Sequence, residues 1–177
     1  AIVKGDDRDV AVQLNALGNV MQYRGNFETA DSLYQLALAM HIRVLGELHP
    51  DVVVDLVNLG QLQTNRSRFA AADSMLRRAI ALGEKLHGKD HPTLEVAWTG
   101  LADALRRSGD FAGAERANQI VLGMTKRLHG EESAAFADAL MSLSVTLSEW
   151  KGAEAGLSST FQAIAILRRV LAPGDGQ

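Results

Sequence analysis

The chain has 177 residues, a formal net charge of −3 at pH 7 and no cysteine. That length allows one compact domain or a short repeat array burying roughly 70% of its unfolded surface, and the missing thiols exclude disulfides, thiolate metal sites and a cysteine nucleophile. The small negative charge argues against generic attraction to nucleic acid or to anionic lipid.

Read from the start, AIVKGDDRD has neither the basic opening nor the apolar stretch of a secretory signal. No later apolar run approaches the roughly 18 residues of a membrane span. A cytoplasmic protein with no membrane or nucleic-acid partner is therefore expected. Val3 to Val10, VKGDDRDV, falls in register with Leu45 to Val52, LGELHPDV, so residues 1–8 read as the tail of a preceding repeat or a linker, and the chain as a fragment of a longer protein. A first helix is expected near 9–24, with Leu14, Leu17 and Met21 at i, i+3 and i+7, and a second near 27–45, with Ala30, Leu33, Tyr34, Ala37 and Leu38 on one face. The turn between them, Tyr23-Arg24-Gly25-Asn26-Phe27, carries the small residue a tight reversal needs. Leu45-Gly46-Glu47-Leu48-His49-Pro50 then supplies a glycine to end one helix and a proline to begin the next.

The same sentence is spoken again 42 residues later: Leu14, Gly18, Phe27, Ala30 and Asp31 align with Leu56, Gly60, Phe69, Ala72 and Asp73. A third copy aligns Phe111, Ala114 and Glu115. A fixed period in this range signals a repeat array. Further helices follow near 50–66, 69–87, 92–108, 111–129, 132–149 and 151–171, with no strand. Gly18, Gly60 and Ala102 on first helices, and Ala30, Ala72 and Ala114 on second helices, are small where helices must approach closely. In the last copy, Trp150 matches Phe111 best if three turn residues are missing; a divergent copy of this kind suggests a cap. Pro173 to Gln177 reads as a disordered tail. The expected organisation is repeats at 9–50, 51–92 and 93–134, a divergent fourth or cap at 135–171, and a tail at 172–177.

This order of leucine, glycine, small turn, aromatic and alanine resembles the tetratricopeptide repeat, and the 42-residue spacing with Leu-Gly and His-Pro linkers is similar to the kinesin-light-chain subclass. The resemblance covers about residues 10–171 and implies an all-α, right-handed superhelical solenoid of about four antiparallel helix-turn-helix repeats.

Catalytic and metal chemistry find little support. His49, His87, His91 and His129 occupy linker positions that recur with the repeat, so a structural role explains them better than a metal; His41, between Met40 and Ile42, reads as a partly exposed helix residue. Neither G-x-S-x-G nor a Gly-rich phosphate loop with lysine occurs. No enzyme, metal or cofactor is expected. Glu131-Glu132 suits a helix start, and Arg77-Arg78, Arg106-Arg107 and Arg168-Arg169 suit solvated surface better than a basic docking site.

In the family resembled, first helices line a concave groove that holds extended or helical peptides. Projected here, that groove comprises Val12, Asn15, Asn19, Gln22 and Tyr23, then Val54, Asn58, Gln61 and Asn65, then Thr99, Asp103 and Arg106. These lie about 100° round the helix from the Leu14, Leu17, Met21 stripe, so they present a second, polar face. Amide side chains there could bracket a peptide backbone. Chaperone-binding members of the family clamp a terminal carboxylate with first-helix cations. Asn15, Gln61, Thr99 and Asp103 stand at those positions here, so no such clamp is expected. The expected function is a scaffold binding a protein or peptide segment within a larger signalling or regulatory protein, whose Ala- and Arg-rich style reads as bacterial. A peptide-sensing regulatory domain is the alternative, as is a self-associating or spacer solenoid that forms homodimers through exposed repeat edges.

Overall fold

The computed structural model describes residues 4–171. It contains α1 (Lys4–Tyr23), α2 (Phe27–Leu45), α3 (Pro50–Asn65), α4 (Phe69–His87), α5 (Pro92–Ser108), α6 (Phe111–His129), α7 (Ala134–Lys151) and α8 (Leu157–Val170), with a short 3-10 helix over Ala153–Gly156 and no strand among these residues. Helices α1–α4 form one compact unit and α5–α8 a second. Within each unit the helices pack as consecutive antiparallel pairs, α1 with α2, α3 with α4, α5 with α6 and α7 with α8. The fold class is that of an all-α repeat solenoid. The expected tail at 172–177 lies outside the described residues.

The repeat period is kept by identical punctuation. Gly46, Gly88 and Gly130 end α2, α4 and α6 with φ of 85°, 77° and 83° and nearly extended ψ, a region open essentially to glycine alone. Beyond them His49 and His91 cap α3 and α5, each ring Nδ1 accepting the amide proton two residues on, at 3.1 and 3.2 Å. Pro50 and Pro92 then occupy first-turn positions, where the missing N–H costs nothing. Asn26, Asp110 and Ser133 cap α2, α6 and α7 with side-chain oxygens.

Each pair closes on a small residue. An added Cβ on Gly18 would lie 2.5 Å from Tyr34 Cε1, and one on Gly60 would lie 2.5 Å from Leu76 Cγ. In the last pair, Ser144 takes this position and its hydroxyl lies 2.6 Å from Thr160 Oγ1. Glycine therefore stands opposite the large Tyr34 and Leu76, and serine opposite the smaller Thr160.

Three expectations need correction. Helix α1 begins at Lys4 and not at 9, because Arg8 stands where Pro50 and Pro92 stop later helices from extending backwards. Leu17 is 44% exposed, whereas its counterpart Leu59 is 1% exposed; Leu59 packs against Ala30 and Tyr34 of α2, and nothing among the described residues covers α1 in the same way. Trp150 does not begin the last second helix. It lies in α7, and the Ser144–Thr160 contact spans the same sixteen residues as Gly18–Tyr34, so no turn residues are missing and α8 keeps the original register. On α8, Phe161 and Leu171 are 66% and 70% exposed.

Candidate functional site

In the first unit, α1 and α3 bound a cleft of about 410 Å³ lined by Val12, Asn15, Ala16, Asn19, His41, Asp51, Val54, Asp55 and Asn58. Val12 and Val54 are exposed at its rim. Its floor is a chain of hydrogen bonds joining three helices. Asn58 Nδ2 donates to Asn15 Oδ1 at 2.7 Å, Asn15 Nδ2 donates to Asp55 Oδ1, and Asp55 Oδ2 lies 2.6 Å from His41 Nδ1. Both amide orientations are fixed by this order, and an aspartate acceptor places the imidazole proton on Nδ1.

Asp55 is fully buried, and burial pushes its carboxyl upward from the usual value, against the opposing pull of hydrogen bonds from His41 and Asn15. His41 is buried too, which corrects the expectation of a partly exposed residue: α2 packs on α3, and the acid beneath supplies the partner that makes burial of an imidazole tolerable. Its Nε2 has no hydrogen-bond partner. The nearest charge to it is Asp51, 3.9 Å away, which is itself paired with Arg8 at 3.0 Å.

Asn19 and Gln22 are partly committed elsewhere. The Tyr34 hydroxyl reaches Asn19 Oδ1 at 2.7 Å and Gln22 Oε1 at 3.0 Å, its single proton serving either. Burial pushes that phenol up to about 12. Of the expected groove residues in this unit, the cleft gathers Val12, Asn15, Asn19, Val54 and Asn58. Gln22, Tyr23, Gln61 and Asn65 do not line it, and Tyr23 projects 94% exposed from the end of α1.

The second unit has a smaller cleft of about 190 Å³, lined by Thr99, Ala102, Asp103, Arg106, Asn118, Ser142, Val145 and Thr146. All three expected residues of this unit, Thr99, Asp103 and Arg106, meet there. Arg106 is held by Asp103 at 2.7 Å and by both oxygens of Glu149 at 2.7 and 2.9 Å. Partial burial works against its charge, but these carboxylate hydrogen bonds outweigh that and raise its pKa. Asn118 occupies the position of Tyr34 and donates to Thr146 Oγ1 at 2.9 Å. The shorter side chain leaves open the space that the tyrosine ring fills in the first unit.

Sequence reasoning missed His41, Asp51 and Asp55 in one cleft, and Asn118, Ser142 and Thr146 in the other. The projection considered one face of the first helices. Second-helix residues such as His41 and Asn118 reach the same space from behind, and Asp51 and Asp55, four apart on α3, were the available signal. Among the described residues no group of three or more His, Cys, Asp or Glu could hold a metal, and no helix is long and apolar enough to cross a membrane.

Comparison with known proteins agrees with this architecture. The family model described as "Tetratricopeptide repeat" matches residues 9–85 and 56–127. Among solved structures, BtubC (BKLC) from P. vanneervenii superposes with a TM-score of 0.83 at 15% identity, over 94% of this chain and 66% of that one. This chain thus spans just under two thirds of that protein. A protein described as a kinesin light chain of nearly identical TPR-like repeats, from Podosopora anserina, gives 0.76 at 16% identity over 92% of this chain and 77% of that one. At such identities the likeness is one of fold. No curated protein matches the chain significantly.

Proposed function

Because the chain belongs to the tetratricopeptide repeat family, whose repeats generally mediate contacts between proteins, we propose that it is a non-catalytic interaction module holding a partner segment in the cleft between α1 and α3. The observation that carries this reading is the ordered side-chain floor of that cleft beneath two exposed valines. Binding surfaces of this kind pair a few apolar anchors with polar groups fixed in advance, which lowers the entropic cost of association. Val12 and Val54 supply the apolar contact. Asn58 and Asn19 at the edge offer amide groups to a peptide backbone.

Charge narrows the ligand. No lysine or arginine lines this cleft, whereas Asp51 and Asp55 do. A terminal carboxylate would meet no cation in the lining and two acids, one of them already paired with Arg8, so a segment entering by an internal stretch, neutral or basic, fits better. In the second unit Arg106 is already engaged by Asp103 and Glu149, so it offers no free cation either.

Affinity capture from lysate tests this, using the chain, a Val12→Glu, Val54→Glu variant and an Asp103→Ala, Arg106→Ala variant, all matched for helicity. A partner lost only from the valine variant supports the α1–α3 cleft. Loss only from the second variant moves the site to the other unit, and retention by both sinks the cleft reading.

A further inference from the structure

The floor of the α1–α3 cleft spends its donors on itself. Asn58 Nδ2 donates to Asn15 and Asn15 Nδ2 to Asp55, and the His41 Nδ1 proton is turned to Asp55 Oδ2. What remains, at the end where α1 and α3 begin, is acceptor capacity. Among the described residues no donor reaches His41 Nε2, which is buried. The Asp51 carboxylate receives a hydrogen bond from Arg8 Nε alone, at 3.0 Å on Oδ2. Nε2 and that oxygen stand 3.9 Å apart, too far for a hydrogen bond between them. A buried acceptor left without a donor is costly, and the deficit marks what a ligand can supply: protons, delivered close to an acid.

We infer that this end of the cleft takes the ammonium group of a lysine on the partner segment. The inference rests on the cleft being the interaction site and specifies what enters it. The stem of that side chain lies between Val12 and Val54, both exposed at the rim, where its methylenes leave water as the charged head stays among polar groups. The head replaces Arg8 at Asp51 and gives a second proton to His41 Nε2. An ammonium is a compact charge whose three protons diverge, which suits two acceptors on different residues; a planar guanidinium suits a single carboxylate. Arg8 is a weak rival, since it reaches Asp51 through one nitrogen and its side chain is 51% exposed, and exposed pairs of this kind contribute little. His49 Nδ1 lies 3.7 Å from Asp51 Oδ2 but accepts the Asp51 amide proton, so that nitrogen brings no proton to the carboxylate. The start of α3 opposes a cation with about half a unit charge, less than the full charge of Asp51.

Nuclear magnetic resonance titration of the full chain tests this at low salt. The probes are Nα-acetyl-lysine methylamide and its norleucine and hydroxynorleucine analogues, which end in a methyl and a neutral hydroxyl. The lysine probe is expected to dissociate at about 1–10 mM, shifting Val12, Val54 and the His41 Nε2 resonance, and both neutral probes to bind about tenfold or more weakly. Asp51→Asn should erase the advantage of lysine. Arg8→Met, which removes the rival, should tighten the lysine probe by about threefold and leave the neutral probes unchanged, an effect that a merely structural Arg8 would not produce. Neutral probes that match lysine overturn the proposal. So do an Arg8→Met variant that binds lysine no better, shifts absent from the cleft up to about 50 mM probe, and a His41 ring already protonated on both nitrogens in the free chain at pH 7. None of these outcomes removes the cleft itself, which the capture experiment with Val12→Glu, Val54→Glu decides separately. A partner lost from that variant but held undiminished by Asp51→Asn would keep the cleft and reject the lysine.

Discussion

Gly60 shows how one hydrogen atom sets a helix spacing. Alanine would gain up to about 1 kcal/mol of helix propensity there, but its Cβ would lie 2.5 Å from Leu76 Cγ, and overpacking of a tight contact costs about 1–3 kcal/mol. The second effect wins: Gly60→Ala is expected to lower the free energy of urea unfolding, and an unchanged or raised midpoint would show that the pair can separate without loss. Asp55 makes a prediction of opposite character. Burial raises its folded pKa above the ordinary 3.8. Between the unfolded and folded values the native state therefore holds more protons than the unfolded one, and stability falls as pH rises through that window. Measured against Asp55→Asn, which carries no such proton, the wild-type chain should lose relative stability as pH climbs from 3.8 through the raised value. A gap that widens in its favour would mean that the hydrogen bonds from His41 and Asn15 outweigh burial.

Helix ends illustrate what the sequence states openly. His49 accepts the Asp51 amide proton at 3.1 Å, so His49→Ala should destabilise by about 1 kcal/mol, and His49→Asn should recover most of that by restoring a capping acceptor. Thermal melts of the pair distinguish this cap from a role of the ring in packing, which asparagine would not rescue. Such caps, like the glycines at 46, 88 and 130, recur at the repeat period, and the second helices starting at Phe27, Phe69 and Phe111 could be placed from them. The floor of the first cleft could not. Asn15 has Val57 and Thr99 as counterparts, His41 has Gly83 and Thr125, and Asp55 has Gln13 and Ala97. A search for periodicity treats these positions as noise, although they form one connected network. The last copy misled for a related reason: Trp150 is the conspicuous aromatic, whereas the contact that keeps register is the inconspicuous pair Ser144 and Thr160.

At the scale of the molecule, pairs that contact chiefly their neighbours within each unit should transmit a local injury only a short way. Hydrogen exchange after Gly60→Ala is expected to accelerate in α1–α4 far more than in α7 and α8; a uniform change along the chain would contradict nearest-neighbour stability. The hydrogen-bonded floor also bears on whether these repeats are interchangeable parts. Their backbones are alike, yet the joint between the first and second copies is keyed, with Asp55 on one side and Asn15 and His41 on the other. If the segment 51–92 were inserted a second time directly behind itself, the inserted copy's acid would meet Val57 and Gly83 in place of that amide and imidazole. A buried carboxylate without a partner is costly enough to destabilise such a joint or force the acid to take up a proton. The lengthened array should therefore melt lower than one in which the inserted acid is also replaced by alanine, the residue found at the corresponding Ala97. Lengthening an array of near-identical modules is thus a problem of matching locks, and the order in which the copies occur is part of what the chain encodes.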